Sequence, residues 1–325
     1  MTGPMTGPMT GPTAGRVELV APDGIGEVTP GADLCALVRD AVALHHGDVV
    51  VVTSKVVSKA EGRLVEGSRE EALSAQTVRV VARRGPTCIV ENRLGLVMAA
   101  AGIDDSNVPP GRVALLPEDP DASARRLRDQ LYDATGRNVA VVVGDTAGRA
   151  WRTGQTDIAI GAAGLYPADR YAGRVDRHGN TLAVTEPAVV DELAGAAELA
   201  AGKLRQRPVV VVRGLVDRVL PPGEHGPGAV ELLRPRDQDL FALGSREAVV
   251  AAAAGESPEC FGAPAEAAEL CAALARCEVA ASADGDGVVL TGADPAATER
   301  GRIVAHAHGW TAGPDGRLRP SPTAG

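Results

Sequence analysis

Three nearly continuous runs of valine most constrain how this chain can fold. They lie at Val49–Val52, Val139–Val143 and Val209–Val212. A strand with one face in water alternates apolar and polar residues, whereas an unbroken β-branched run is typical of a strand buried on both faces. Helical patterns flank these runs, one over residues 33–45 and one that Asp121 is expected to cap and Gly136 to end. The pattern predicts a sheet whose faces are covered by helices.

The length of 325 residues is natural for two domains. Residues 1–15 repeat a Met-Thr-Gly-Pro tetrad, whose Pro and Gly prevent helix and strand, so we predict that they are disordered. We expect a main domain over residues 16–216, a linker rich in Pro, Gly and Arg over 217–239, and a small C-terminal domain over 240–325. The last has Ala-rich helical patterns and a hairpin signal of its own, so we expect a chain ending near residue 239 to fold.

Composition excludes several classes of protein. Acidic residues outnumber basic ones by 42 to 33 and aromatics are 2%, so we expect no nucleic-acid partner. No apolar run reaches the roughly 20 residues that cross a bilayer, so we expect no membrane association. Five cysteines without a CxxC pair argue against a zinc framework or a disulfide scaffold and favour a reducing cytoplasm.

Familiar phosphate-binding motifs are absent from the sequence. It has no GxxxxGK[ST] loop, and the nearest approach to GxGxxG, at Gly24–Thr29, lacks the third glycine. Polar residues instead follow the valine runs: Ser54 and Lys59 after the first, Asp145 and Thr146 after the second. Ligands gather at such strand ends in α/β proteins, because the backbone opens there.

These residue types suit a site for metal and phosphate. Lys59 and Ser54 offer a point charge and a hydroxyl donor for phosphates. Asp145, Thr146 and the Asp104/Asp105 pair offer the hard oxygen ligands that Mg²⁺ or Mn²⁺ prefers. The alternative, which the pattern leaves open, is that each is a solvated turn residue or a helix cap.

Three long segments carry a resemblance to a known family. They are VVVVTSKVVSKAEGR (49–63), ENRLGLVMAAAGIDDSNV (91–108) and GDTAGRAWRTGQTDIAIGAAGL (144–165). In this order they resemble the coenzyme F-420-0:L-glutamate ligase family, the γ-glutamyl ligases that add glutamate to the deazaflavin coenzyme F-420. The resemblance runs from about Val17 to Leu215, and the Ala- and Gly-rich composition is similar to that of actinobacterial members.

The resemblance implies a fold and an activity. The fold is α+β with a mixed sheet, unlike P-loop and ATP-grasp folds, and the enzyme is a homodimer. GTP phosphorylates the terminal carboxylate of coenzyme F-420-0, and the amine of L-glutamate attacks the acyl phosphate, giving an amide, GDP and phosphate. Two divalent ions, Mg²⁺ or Mn²⁺, and a K⁺ ion assist.

The resemblance also implies site residues. Those expected to bind GTP are Ile25, Gly26, Glu27, Val28, Ser54, Lys59 and Asn107, and those expected to bind metal are Asp104, Asp145 and Thr146. Gly26 stands where the family usually has Pro, and Asp105 where it often has Gly. No catalytic base is identified.

Longer actinobacterial members carry a C-terminal nitroreductase-like domain that binds flavin. Residues 232–244 resemble the linker into that domain, but only about 80 residues follow, with few aromatics, so we expect neither that domain nor FMN here. Two alternatives to the leading reading stay open: a related amide ligase with another acyl acceptor, and a non-catalytic protein that binds a nucleotide or a deazaflavin.

Overall fold

The computed structural model describes residues 15–106, 108–292 and 294–322. Within them the chain forms two compact units. Unit 1 consists of residues up to Gln76 together with Ala101–Leu232, and unit 2 of Thr77–Ala100 together with the residues from Leu233 onward. The predicted disorder of residues 1–15 falls, apart from Gly15, outside the described residues.

The elements of the described residues alternate along much of the chain. The helices are α1 (Leu34–Ala41), α2 (Ser54–Ala60), α3 (Arg69–Gln76), α4 (Pro120–Thr135), α5 (Val189–Ala201), α6 (Ser245–Ala254), α7 (Ala267–Arg276) and α8 (Pro295–His306). The strands are β1 (Glu18–Val20), β2 (Val49–Thr53), β3 (Leu64–Glu66), β4 (Thr77–Arg84), β5 (Thr87–Asn92), β6 (Val97–Ala99), β7 (Arg112–Ala114), β8 (Ala140–Arg149), β9 (Arg152–Ala163), β10 (Val209–Arg213), β11 (Ala281–Asp284), β12 (Gly287–Leu290), β13 (Trp310–Ala312) and β14 (Leu318–Pro320). No helix in this part of the chain is long and apolar enough to cross a membrane.

Unit 1 is built on a five-stranded sheet of order β1-β10-β2-β8-β9. β2 and β8 are parallel, and the other neighbouring strands are antiparallel. The sheet is therefore mixed, and the predicted α+β fold with a mixed sheet is confirmed.

The three valine runs form the adjacent central strands β10, β2 and β8. Their valines are at most 6% exposed. Alternate members, such as Val51, Val142 and Val210, pack with Leu193 and Val190 of α5 in one apolar cluster. Each buried valine contributes about 1.5 kcal/mol or more through the hydrophobic effect, so these runs are the main stabilising feature of the unit.

The cap of α4 differs from the sequence prediction. Asp119, not Asp121, caps the helix, accepting the Ala122 N–H at 2.8 Å. Asp121 lies in the first turn, is 8% exposed, and accepts the N–H groups of Ala162 and Ala229, both at 2.7 Å. The prediction was wrong because both positions suit an aspartate, and only the tertiary contacts show which backbone N–H groups need an acceptor.

Arg128 on α4 is a buried connector that the sequence did not reveal. Its guanidinium, in a side chain only 2% exposed, donates to the carbonyl oxygens of Val139, Leu220, Pro221 and Glu224 and to Asn138 Oδ1, at 2.6–3.0 Å. Burial lowers the pKa of Arg128 from its usual value. These bonds hold segment 220–224 against the start of β8.

We predict that replacing Arg128 destabilises unit 1 strongly. In Arg128→Met the apolar packing is roughly kept, but the buried carbonyls lose their donors, so the free energy of unfolding should fall by about 3 kcal/mol or more. Urea denaturation followed by circular dichroism measures it. Arg125→Met is the control on the same helix, since the 3.8 Å ion pair of Arg125 with Asp119 is long, and it should cost under about 1 kcal/mol. Equal losses in the two variants would contradict the assigned role.

Unit 2 has its own core. β4, β5 and β6 form one antiparallel sheet, and β11, β12, β14 and β13 form another. Residues of α7, α8 and the second sheet share an apolar cluster, which contains Leu270, Leu274, Val279, Val288, Ala305, Trp310 and Leu318.

The composition of unit 2 differs from the division expected from sequence. Residues 77–100, expected within 16–216, belong to it, and its C-terminal part begins at Leu233, inside the expected linker 217–239. Three contacts within unit 2 explain this: Gly244 N–H donates to Val81 O at 2.7 Å, Arg236 donates to Glu91 at 2.7 Å, and Glu247 accepts the Arg83 N–H at 3.1 Å. A chain cut at residue 239 would divide this unit.

Candidate functional site

The site begins where β2 and β8 separate. The two strands pair from Val49 with Ala140 to Thr53 with Gly144. At Ser54 the chain turns into α2, while β8 continues to Arg149, paired only with β9. Beyond Gly144, β8 therefore has no pairing with β2. This leaves one backbone edge of β8 unpaired with β2 next to the start of α2.

Ser54 and Asp145 meet at this opening. The Ser54 hydroxyl donates to Asp145 Oδ1 at 2.6 Å, and Ser54 is 4% exposed. The structure thus brings a residue expected to bind nucleotide into contact with a residue expected to bind metal, although they lie 91 positions apart.

Asp145 has a strongly perturbed carboxyl group. Burial, together with the negative charges of Asp157 and Asp104, raises its pKa to about 6 against the opposing hydrogen bonds from Ser54 and the Thr146 N–H. The charges of two other carboxylates therefore act on Asp145, and added positive charge would favour its ionised form.

Thr146 takes part in a second set of contacts. Its hydroxyl donates to Asp157 Oδ1 at 2.8 Å and accepts from Lys203 Nζ at 3.0 Å. Thr146 and Asp157 are direct cross-strand partners on β8 and β9. Because successive residues of a strand point to opposite faces, Asp145 and Thr146 lie on opposite faces of the hairpin. The two predicted metal ligands on β8 therefore serve different faces.

Asp104 is held by Lys55. Asp104 Oδ2 lies 2.6 Å from Lys55 Nζ, and Asp104 Oδ1 accepts the Ser106 N–H at 2.7 Å. Burial acts to raise the pKa of Asp104, but the bonds from Lys55 and Ser106 outweigh it and hold the pKa below its usual value. The neighbouring Asp105 pairs loosely with Arg69 at 3.8 Å.

Lys59 lies next to the loop of Ile25, Gly26, Glu27 and Val28. Its ammonium group is 3.5 Å from Glu27 Oε1, in a side chain 10% exposed. Val28 is buried and anchors the loop, whereas Gly26 and Glu27 are exposed. A side chain at Gly26 would meet open space, so no steric clash requires a glycine at this position. Asn107 lies outside the described residues.

Sequence reasoning did not select Lys55, Lys203 or Asp157 as site residues. One signal could have found the lysines. The chain has 30 arginines but only three lysines, Lys55, Lys59 and Lys203, and all three contact site residues. A chain that uses arginine almost everywhere else keeps the compact ammonium group at these positions.

The acidic side chains do not form a metal cage by themselves. Among the described residues, no three His, Cys, Asp or Glu side chains are arranged to hold a metal ion. An ion at Asp104, Asp145 or Asp157 would need hydroxyl, water or phosphate oxygens to complete its ligands. Such shared coordination is usual for Mg²⁺ at phosphate-transferring sites.

Comparison with known proteins defines the class. The model of the family described as "F420-0:Gamma-glutamyl ligase" matches residues 24–214, which include every described site residue. The chain belongs to this family and is an enzyme, a ligase. The resemblance on which the sequence prediction depended is therefore confirmed.

Curated relatives share long segments with the chain. One named "Coenzyme F420:L-glutamate ligase" from Methanothermobacter thermautotrophicus is 35% identical over 254 residues, covering 69% of this chain and 98% of the relative. Proteins of the same name from Methanopyrus kandleri and Natronomonas pharaonis are 42% and 41% identical, covering 58% and 61% of this chain and 83% and 86% of their own lengths.

We predict that Asp145→Asn stabilises the metal-free protein. An acid whose pKa is raised from 3.8 to about 6 on folding destabilises the folded state once the pH exceeds 3.8, and the penalty grows until about pH 6. At pH 8 the variant should be more stable than wild type by up to roughly 3 kcal/mol, and the difference should vanish near pH 4. Denaturation with a chelator present, from pH 4 to 8, measures it.

Asp133→Asn is the control for this titration, because Asp133 is exposed on α4. Its effect on stability should be under about 0.5 kcal/mol across the same pH range. An Asp145→Asn protein that is less stable than wild type at pH 8 would show that the Asp145 carboxylate is favourably solvated or paired.

Proposed function

We propose that this chain is a GTP-dependent ligase that joins L-glutamate to coenzyme F-420-0 through an acyl phosphate. Three facts support the proposal: membership of the family, the names of the relatives, and a site that combines carboxylates, hydroxyls and ammonium groups. The observation that carries it is the position of Asp145, partly buried beside Ser54 and under the charges of Asp104 and Asp157.

A carboxylate needs activation before an amine can attack it. Phosphorylation from GTP supplies a leaving group, and phosphoryl transfer depends mainly on positioning and on neutralising charge. Lys59 suits this role, because its side chain is nearly buried while its ion-pair partner Glu27 is 76% exposed on a loop. Ser54 offers a hydroxyl donor in the same helix α2, so β2 and α2 would present both groups to the phosphates.

The residues present fit divalent ions that are shared with phosphates. Burial and neighbouring carboxylates disfavour the ionised Asp145, and a dication beside it would reverse that balance. Asp104 and Asp145 would hold one ion, and Thr146 with Asp157 would hold another. When bound, Mg²⁺ or Mn²⁺ supplies positive charge to the γ-phosphate and to the acceptor carboxylate.

Without an ion, the ammonium groups of Lys55 and Lys203 contact residues of this site. Lys55 bonds to Asp104, and Lys203 bonds to Thr146, itself a donor to Asp157. Each lysine would turn toward phosphate or carboxylate groups of the substrates when the acids gain another partner. The K⁺ ion and the homodimer are part of the proposal and have no residues assigned to them.

The proposal predicts one product. Incubation with coenzyme F-420-0, L-glutamate, GTP and Mn²⁺ should give the monoglutamyl coenzyme, with GDP and phosphate, as detected by mass spectrometry. Chelation of the metal should stop the reaction, and Asp145→Asn should lower kcat by about a hundredfold or more. Turnover with a different acyl acceptor would favour a related amide ligase, and binding without turnover would favour a non-catalytic nucleotide or deazaflavin protein.

Charge-conserving changes test the lysines. We predict that Lys59→Arg lowers kcat/KM for GTP by about tenfold or more, because the planar guanidinium does not fit a site made for a compact ammonium group. Lys59→Ala should lower it at least as much. The reverse exchange at an exposed position, Arg39→Lys, is the control and should change kcat/KM less than twofold. Full activity in Lys59→Arg and Lys59→Ala would mean that Lys59 has no part in GTP binding.

A further inference from the structure

The tip of the β8–β9 hairpin carries an unusually exposed tryptophan. The chain has only seven aromatic residues apart from histidine, two of them tryptophans. Trp310 is 3% exposed in the core of unit 2, whereas Trp151 is 87% exposed, with a φ of 60°. Both the exposure and the left-handed backbone are unfavourable for a tryptophan, and they persist where surrounding structure or function requires them.

Two arginines flank this tryptophan. Arg149 and Arg152 are cross-strand partners at the ends of β8 and β9, and both are exposed. Arg149 donates to Gly154 O at 3.3 Å, and within the described chain neither guanidinium lies within salt-bridge distance of an acid. An indole beside two such cations is suited to a flat aromatic ligand that also carries a negative charge.

The hairpin connects this tip to the site described above. The face that carries Thr146 and Asp157 continues along the strands to the next cross-strand pair, Gly148 and Gln155. A side chain at Gly148 would meet nothing within 4 Å, so this face is open between the site and the tip. From Asp145 to Arg149 the strand advances about 13 Å, at about 3.3 Å per residue. A ligand that reaches both ends must be elongated.

We propose that the hairpin tip binds the aromatic ring of the acyl acceptor, stacked on Trp151, while Arg149 and Arg152 bind its phosphate. This rests on the proposed function, in which the acceptor is a deazaflavin with a tricyclic ring at one end, a phosphodiester, and the reacting carboxylate at the other end. The ring would lie at the tip and the carboxylate near Thr146 and Asp157. The hairpin would thus select the acceptor by its length as well as bind it.

The fluorescence of the deazaflavin ring provides a direct binding test. The two probes are coenzyme F-420-0 and the ribityl deazaflavin that lacks the phosphate, titrated with protein and followed by fluorescence anisotropy. Trp151→Ala should weaken the binding of both probes about tenfold or more, and Trp151→Phe should stay within about threefold of wild type. The double variant Arg149→Gln, Arg152→Gln should weaken the binding of coenzyme F-420-0 alone, because only that probe carries the phosphate.

Kinetics and a steric variant add independent readouts. Trp151→Ala should raise KM for the acceptor and leave KM for GTP unchanged. Gly148→Leu should have the same effect, since the new side chain meets no protein atom within 4 Å at its Cβ but would fill the open face. Val184→Ala is the control, since Val184 is 92% exposed outside the hairpin and should change neither constant. Thermal melting verifies that each variant is folded.

The outcomes separate this inference from the proposed function. If wild type ligates glutamate but Trp151→Ala binds both probes as tightly as wild type, the inference is wrong and the function stands. If wild type does not ligate glutamate but Trp151→Ala binds the phosphate-free probe more weakly than wild type does, the ring site stands and the proposed function is wrong. If Trp151→Ala changes the molar mass measured by light scattering while probe affinity is unchanged, the tip contacts a second copy of the chain and the inference is overturned.

Discussion

The end of the parallel pairing between β2 and β8 is the constraint on which the site depends. Pairing stops at Thr53 and Gly144, and beyond that point one chain turns into α2 while the other continues in a hairpin. Both strands are buried up to this position, so the core positions the polar residues that follow. Ser54 and Asp145 meet at 2.6 Å because the sheet aligns their strands in one register.

The charges at this opening are balanced from outside the sheet. Three carboxylates belong to β8, β9 and the segment before β7. The two lysines that contact this group are Lys55 of α2 and Lys203, the residue after the C-cap of α5. The same arrangement raises the pKa of Asp145, which disfavours the ionised carboxylate in the folded state, and it brings together residue types that suit phosphate and metal. A stable fold without this strain would need a neutral residue at position 145, which would have no charge to offer an ion.

The sequence predicted the parts of the fold that depend on local sequence patterns. The valine runs form β10, β2 and β8, and the hairpin signal of the C-terminal domain corresponds to the β11–β12 hairpin, because these patterns act over a few residues. Asp157 and Lys203 could not be selected, since the first depends on cross-strand register with Thr146 and the second on where α5 ends. The same limit explains why the sequence did not assign residues 77–100 to unit 2. Their contact residues Gly244 and Glu247 lie more than 160 positions further along the chain. Family resemblance supplied residue roles that spacing alone left open.

Two irregularities in the β8–β9 ladder bound the part of the hairpin that carries the site. One register shift lies between Val143 and Gly144, and the other between Gly148 and Arg149. Bulges redirect side chains and increase local twist, so the short regular ladder between them can point Asp145 and Thr146 away from the faces set by the core. The second shift separates that ladder from the tip with Trp151. The irregular pairing is therefore what allows one continuous hairpin to belong to the apolar core at one end, to a charged site in its middle, and to an exposed aromatic surface at its tip.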